Sequence, residues 1–397
     1  MAVLLRQAVR LFLGFLLACG GAAFGQDKLP RVDEKIDPAR SYWREHVHYA
    51  YPHRFARVED TQGRSWNIAY LDLFRGDAQA AGQAPVLVLI HGRMMNSGYW
   101  GELLDLPLAA GFRVISIDWS NSGKSLPENM AMPLTRTLDD VRRMIFNLVV
   151  RHLGIRKACY LGHSLGGQVA AGYALAYPDH VARLVLYAPG GLESFPGAMP
   201  RLTGMLANRD LLFNLAYGAG RFPDMGRTEA QVEASFYDNP RSFGRPYLKR
   251  GDKLGAYMVA TRARALRGHP AERERLLKAY AWDSLAALME CRRDDPQALP
   301  NRIAGLKVPT FLALGLEESA FPIRGTGNED LVRDVVAPLW QRAKSLGSPV
   351  RIKLYEKAGH FLHTDLPGVF SHDVLSFLQT GIVPPPHYTG EAGKARP

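Results

Sequence analysis

Short, uninterrupted apolar runs punctuate the chain, and most are followed by a longer stretch in which apolar residues recur at helical spacing. Val86-Leu87-Val88-Leu89-Ile90 is the clearest run. A strand that is apolar at every position is covered on both faces, as strands of a parallel sheet are. Further strands, less uniformly apolar, fall at 112–117, 158–161, 182–187, 308–315 and 350–356. The stretches 99–110, 134–153, 165–177, 328–344 and 365–378 read as helices, with a kink expected at Pro338. Two earlier strands, 55–59 and 65–72, are joined by a turn at Thr61-Gln62-Gly63, and 75–85 reads as a loop. Strand alternating with helix predicts an α/β chain built on a doubly wound, mostly parallel sheet.

The pattern changes at Leu192. From there to residue 307 no strand-like alternation occurs; Pro- and Gly-punctuated segments at 203–216, 229–236, 255–266 and 271–292 read as helices. The sheet pattern then resumes. The expected organisation is a signal segment 1–25, an arm 26–54, a first core part 55–191, a helical insertion 192–307, a second core part 308–380 and a Pro- and Gly-rich tail 381–397.

One stretch organises the rest. Ala158-Cys159-Tyr160-Leu161 is a buried strand, Gly162-His163-Ser164-Leu165-Gly166 is a sharp turn, and an Ala-rich helix runs on to Tyr177, stopped by Pro178. A serine on a tight strand-to-helix turn takes a strained backbone conformation, and glycines two residues away on either side give it room. The hydroxyl is lifted above the sheet, and the helix N-terminus aims N–H groups at any oxyanion that forms there. The helical insertion is placed to act as a lid over Ser164. Gly123-Lys124-Ser125 resembles the end of a phosphate loop, but that motif needs a glycine at the position of Asp118, and the reading is rejected.

Composition adds limits. Of 397 residues, 47% are hydrophobic and 22% charged, which is enough apolar material for a large core. Lys and Arg number 49 against 38 Asp and Glu, a formal net charge of +11. No basic run is interleaved with aromatics, so nucleic acid is not an expected partner. Arg6 and Arg10, the apolar run 11–18 and the small residues before Gln26 read as an export signal, so the expected location is periplasmic or secreted. Leu16-Leu17-Ala18-Cys19 resembles a lipobox, and lipidation of Cys19 would tether the chain to a membrane; that alternative stays open. Cys159 and Cys291 are not expected to pair, and no metal-ligand spacing is present.

Taken in order, these motifs resemble the α/β-hydrolase-fold serine hydrolases over residues 55–191 and 308–380, and more narrowly exported bacterial α/β hydrolases, through His91-Gly92-Arg93-Met94-Met95-Asn96 with Tyr99-Trp100. The resemblance implies a triad in the chain order Ser, acid, His. Ser164 is the nucleophile. His360, in Ala358-Gly359-His360 after the last strand, is the base; His91 and His163 are expected to bond to backbone, and His363 to line the pocket. Relatives carry an aspartate where Glu318 stands, three residues after Gly315, so Glu318 is the expected acid, with Glu317 and Glu193 as alternatives. The amides of Leu165 and Arg93 would form the oxyanion hole, and the Arg93 side chain is expected to face solvent or a surface ion pair, the alternative being that it reaches the pocket to bind a substrate carboxylate. No cofactor is implied. The expected activity is hydrolysis of a small-molecule carboxylic ester through an acyl-enzyme. Carbon–carbon, thioester or lactone hydrolysis on the same triad, and a catalytically silent ligand-binding protein, are the alternatives.

Overall fold

The computed structural model describes residues 41–93, 95–125, 133–135, 137–195, 229–238, 247–265, 270–293, 295–322 and 327–390. The expected signal segment with Cys19, the helix expected at 203–216 and the end of the tail from 391 lie outside the described residues. The strands are β1 (Arg54–Glu59), β2 (Ser65–Leu73), β3 (Val86–Ile90), β4 (Arg113–Ile117), β5 (Ala158–His163), β6 (Val181–Tyr187), β7 (Thr310–Gly315) and β8 (Val350–Tyr355). They form one sheet in the order β1-β2-β4-β3-β5-β6-β7-β8. Only the two pairings made by β2 are antiparallel; from β4 to β8 the sheet is parallel.

The helices are α1 (Tyr42–His46), α2 (Ala78–Gln83), α3 (Glu102–Ala109), α4 (Leu138–Phe146), α5 (Leu165–Ala176), α6 (Glu229–Tyr237), α7 (Lys253–Ala265), α8 (Pro270–Met289), α9 (Leu299–Ile303), α10 (Ala337–Ser345), α11 (Leu362–Asp365) and α12 (Pro367–Thr380). Side chains alternate faces along a strand, and β3 divides accordingly. Val86, Val88 and Ile90 join the core under α4, α5 and α10, with Val141, Met144, Val169 and Leu339. Leu87 and Leu89 join the opposite core under α3 and α12, with Leu103, Leu104, Phe370 and Val374. Every residue of β3 is buried, which is why its sequence carries no polar position.

The helix boundaries differ from the pattern-based reading at identifiable places. Tyr99 and Trp100 are fully buried before α3 rather than inside it, and Gly101 turns the chain into the helix at φ 53°. The stretch 134–153 is α4, opened by a Thr137/Asp140 capping box, followed by a π-helical turn Asn147–His152. Pro338 sits in the first turn of α10, into which a π-helical turn Leu331–Val336 runs without a break, Val336 and Ala337 both keeping helical backbone angles. Pro367 likewise opens α12 and separates it from α11. The loop expected at 75–85 contains α2, capped by the Asp77 carboxylate.

The segment between β6 and β7 leaves and re-enters at a neck. The Phe195 N–H donates to the Cys291 carbonyl at 2.8 Å, and the Arg293 N–H to the Phe195 carbonyl at 2.8 Å. By Leu299 the chain is packing in the core again. The buried Arg142 roots the segment: it donates to both oxygens of Glu290, at 2.6 and 2.8 Å, and to the Gln168 carbonyl at 3.1 Å. Gln168 in turn donates to the Ala287 carbonyl and to Glu290. On the far side, Ser41 and the Trp43 N–H donate to Glu272 of α8 at 2.7 and 3.1 Å.

Removing the carboxylate of such a pair leaves a buried cation undercompensated. Glu290→Ala is expected to cost about 3 kcal/mol and to lower the urea midpoint of the folded chain. An unchanged midpoint would mean that this ion pair does not hold the segment to the core.

Candidate active site

Ser164 lies between β5 and α5 at φ 55° and ψ −124°, a conformation that costs a non-glycine residue roughly 1–3 kcal/mol unless its surroundings hold it. They do. The Ser164 N–H donates to the Tyr187 carbonyl at 3.0 Å, and its carbonyl accepts from the N–H groups of Gly167, Gln168 and Gly190. The flanking glycines are sterically required: a Cβ on Gly162 would overlap the Gly166 carbonyl, and one on Gly166 would overlap the carbonyls of Ile90 and His91. Gly92 approaches from the other side, where a Cβ would come within 3.0 Å of Ser164 Cβ.

The expected acid and the expected base come from neighbouring strand ends. β7 delivers Glu318 and β8 delivers His360. The two loops are tied together by backbone, with the Leu316 N–H on the Tyr355 carbonyl at 2.9 Å and the Glu317 N–H on the Ala358 carbonyl at 2.8 Å. The His360 Nδ1–H donates to Glu318, at 2.9 Å from Oε1 and 3.1 Å from Oε2. The Ala320 N–H donates to the same carboxylate at 2.7 Å. Glu318 is buried and His360 nearly so. With Nδ1 committed to the carboxylate, Nε2 is the ring atom left to take a proton. The carboxylate bonded to His360 is that of Glu318; Glu317 is half-buried, and Glu193 is buried and lines the cleft.

Ser164 and His360 open into one cleft of about 670 Å³, including the solvent at its mouth. Leu165, Phe195, Tyr247, Ala287, Leu288 and Phe321 supply its apolar lining, so α8 and the neck form one wall. Tyr247 and Phe321 lie 5.8 and 5.6 Å from the His360 ring, centroid to centroid. Leu165 opens α5, where first-turn N–H groups have no intrahelical partner. The Arg93 side chain takes the pocket-facing alternative and not the solvent-facing position expected of it. It lines the cleft, with its guanidinium 4.2 Å over the Tyr280 ring and bonded to Ser284, so it joins the segment next to Gly92 to α8. Nothing in a one-dimensional pattern marks that contact.

Three other histidines near the site, His91, His163 and His363, are buried and held neutral. Burial pushes His91 and His363 down to about 3 and His163 well below its ordinary range. His91 bonds to the Gly92 carbonyl and His163 to the His360 carbonyl at 3.0 Å. His363 does not line the cleft. Its Nε2–H donates to the Tyr99 carbonyl at 3.1 Å, and its Nδ1 accepts from the Tyr187 hydroxyl at 2.6 Å. Asp118, whose carboxyl burial pushes up to about 6, accepts from the N–H groups of Ser97 and Lys124 and from Tyr49. Gly123-Lys124-Ser125 thus closes a loop around that carboxylate. Among the described residues no group of three or more His, Cys, Asp or Glu is placed to hold a metal ion.

These depressed values carry a pH dependence. An unfolded chain protonates His363 near its ordinary 6.5, whereas the folded one does so only near 3. Its contribution to stability is therefore complete above 6.5 and is lost as pH falls from 6.5 toward 3. Between pH 6 and 4, the unfolding free energy of the native chain should fall more steeply than that of His363→Phe, by up to about 1.4 kcal/mol per pH unit. Urea titrations at several pH values measure this, and parallel curves would contradict the assignment.

A family model described as the alpha/beta hydrolase fold matches residues 85–365, well over half of the chain. Over 134 residues the chain is 34% identical to a 2-hydroxy-6-oxononadienedioate/2-hydroxy-6-oxononatrienedioate hydrolase from Comamonas testosteroni, covering 33% of this chain and 46% of that protein. Its matches to curated relatives span less than half of those proteins' length. A solved structure described as a "probable hydrolytic enzyme" from Pseudomonas aeruginosa PAO1 superposes with a TM-score of 0.62 at 23% identity, covering 85% of this chain and 98% of that one. An esterase from Exiguobacterium antarcticum gives 0.55 at 15% identity, covering 82% and 100%. At such identities the superpositions speak to the fold alone. Through the family match and the sheet it runs across, the chain belongs to the α/β-hydrolase fold family.

Proposed function

We propose that this chain is a serine hydrolase that cleaves small-molecule carboxylic esters through an acyl-enzyme, with Ser164, His360 and Glu318 as its triad. The observation that carries the reading is the hydrogen bond from His360 Nδ1 to Glu318 in the cleft that also contains the strained Ser164. His360 Nε2 takes the Ser164 proton as the hydroxyl oxygen attacks the ester carbonyl. The amides of Leu165 and Arg93 hold the oxyanion that results. The imidazolium, stabilised by Glu318, returns its proton to the departing alcohol. Water, deprotonated by the same ring, then releases the acid. The apolar lining favours esters with apolar acyl or alcohol groups, and residues 192–307 act as the lid that selects them. Residues 1–25 direct export.

A second reading, carbon–carbon bond hydrolysis on the same triad, is favoured by the similarity to the dienedioate hydrolase. Arg93, in place of the Gly-rich segment that usually follows His-Gly in enzymes with that activity, favours the ester.

Ser164→Ala is expected to reduce hydrolysis of p-nitrophenyl esters to background, a fall in kcat of about 10⁴-fold or more. Retained turnover would remove Ser164 from the mechanism, and a wild-type chain inert to a panel of esters and to fluorophosphonate labelling would favour the silent binding protein. For the acid, Glu318→Gln should lower kcat by about 10⁴-fold through the wrong imidazole tautomer, with Glu317→Gln within about twofold of wild type. The opposite ranking would transfer the role to Glu317.

A further inference from the structure

Beneath Ser164 runs a chain of directional hydrogen bonds that the triad does not use. The Gly92 N–H donates to the Tyr99 hydroxyl oxygen at 3.2 Å. That hydroxyl lies 2.7 Å from His163 Nδ1, and His163 Nε2 lies 3.0 Å from the His360 carbonyl. Both ends are backbone groups of fixed sense, a donor at Gly92 and an acceptor at His360. Only one arrangement of protons satisfies every link. Tyr99 donates to Nδ1, and the neutral imidazole carries its proton on Nε2 and passes it to the carbonyl. An imidazolium would leave the Tyr99 hydroxyl without an acceptor, and the other tautomer would set a lone pair against the carbonyl oxygen.

The ends of this chain are informative. Gly92 precedes Arg93, whose amide is the second oxyanion donor of the proposed mechanism. His163 is bonded through the main chain to the nucleophile. His360 is the base. Tyr99 and His163 are fully buried, and Tyr99 is also held at its other end, where its carbonyl accepts from His363.

We infer that Tyr99 and His163 are positioning residues that act as one unit, fixing the oxyanion segment and the base at set distances from the Ser164 hydroxyl. The inference rests on the serine-hydrolase reading. Reacting groups displaced by about 1 Å can cost about 100-fold in rate, whereas packing alone would register in stability.

The test is a double-mutant cycle on p-nitrophenyl acetate hydrolysis, with kcat, KM and thermal midpoint measured for each variant. Tyr99→Phe, which removes one oxygen, should lower kcat about tenfold, and His163→Leu about 100-fold. KM should stay within about twofold in both, because neither group touches substrate. Links of one bridge are not additive, so the double variant should match His163→Leu alone. His163→Gln, whose amide offers one acceptor and one donor, should recover part of the lost kcat. Effects that multiply in the double variant, or a lowered midpoint with kcat unchanged, would overturn the inference. Should His163→Leu not fold, Tyr99→Phe decides alone: kcat within twofold of wild type sinks the bridge. Ser164→Ala in the same assay separates the two levels. If it stays active, the serine reading falls and the bridge with it; if it is inactive, the cycle judges the bridge by itself.

Discussion

The close approach of three backbones around Ser164 is the constraint on which the rest of the structure depends. The turn after β5 is pressed against the end of β3 so tightly that Gly166 has no room for a side chain beside the Ile90 and His91 carbonyls. Gly162 meets the carbonyl of Gly166 in the same way, and Gly315 meets the carbonyls of Ala358 and Gly359 between the loops that carry Glu318 and His360. These contacts force the serine into the left-handed region, and the bonds from Ser164 to Tyr187, Gly167, Gln168 and Gly190 keep it there. Because that many neighbours over-determine the conformation, the strain need not be relieved by a shift of the turn. The hydroxyl therefore projects over the sheet edge, where β7 and β8 also end.

Around this point the molecule sorts its histidines by environment. His91, His163 and His363 are enclosed, bonded to backbone or tyrosine hydroxyls, and kept neutral by burial. His360 opens on the cleft with a carboxylate behind it. The same side chain thus serves as a rigid two-ended connector in one place and as the carboxylate-bonded ring lining the cleft in another.

Much of this was legible in the sequence because it rests on local rules. Strands buried on both faces leave apolar runs, and an elbow leaves its glycines at fixed spacing. The final histidine follows the last strand run directly, so the partners of Ser164 could be proposed from position along the chain. What escaped the pattern depends on contacts between distant segments. The π-helical turn ahead of Pro338, the break at Pro367 between α11 and α12, the short α2 behind Asp77, and the withdrawal of Tyr99 and Trp100 from α3 are each settled by packing or by a single cap. The Arg93 side chain is the plainest case. Its partners Tyr280 and Ser284 lie almost two hundred positions away on α8, so a residue read as solvent-facing lines the cleft.

The neck between β6 and β7 shows why cleft and segment cannot vary independently. Phe195 and Cys291, which pair across the neck, both line the cleft, as do Ala287 and Leu288 from the end of α8. Gln168, one turn along α5 from Ser164, bonds to Ala287 and Glu290, and Arg142 locks Glu290 from beneath. Any displacement of α8 therefore acts on the helix that begins directly after Ser164, and through Arg93 it acts on the segment beside Gly92 as well. A segment rooted this way cannot swing clear as a detached flap without disturbing the groups beneath it. The end of the segment nearest the neck thus keeps the wall of the cleft in place.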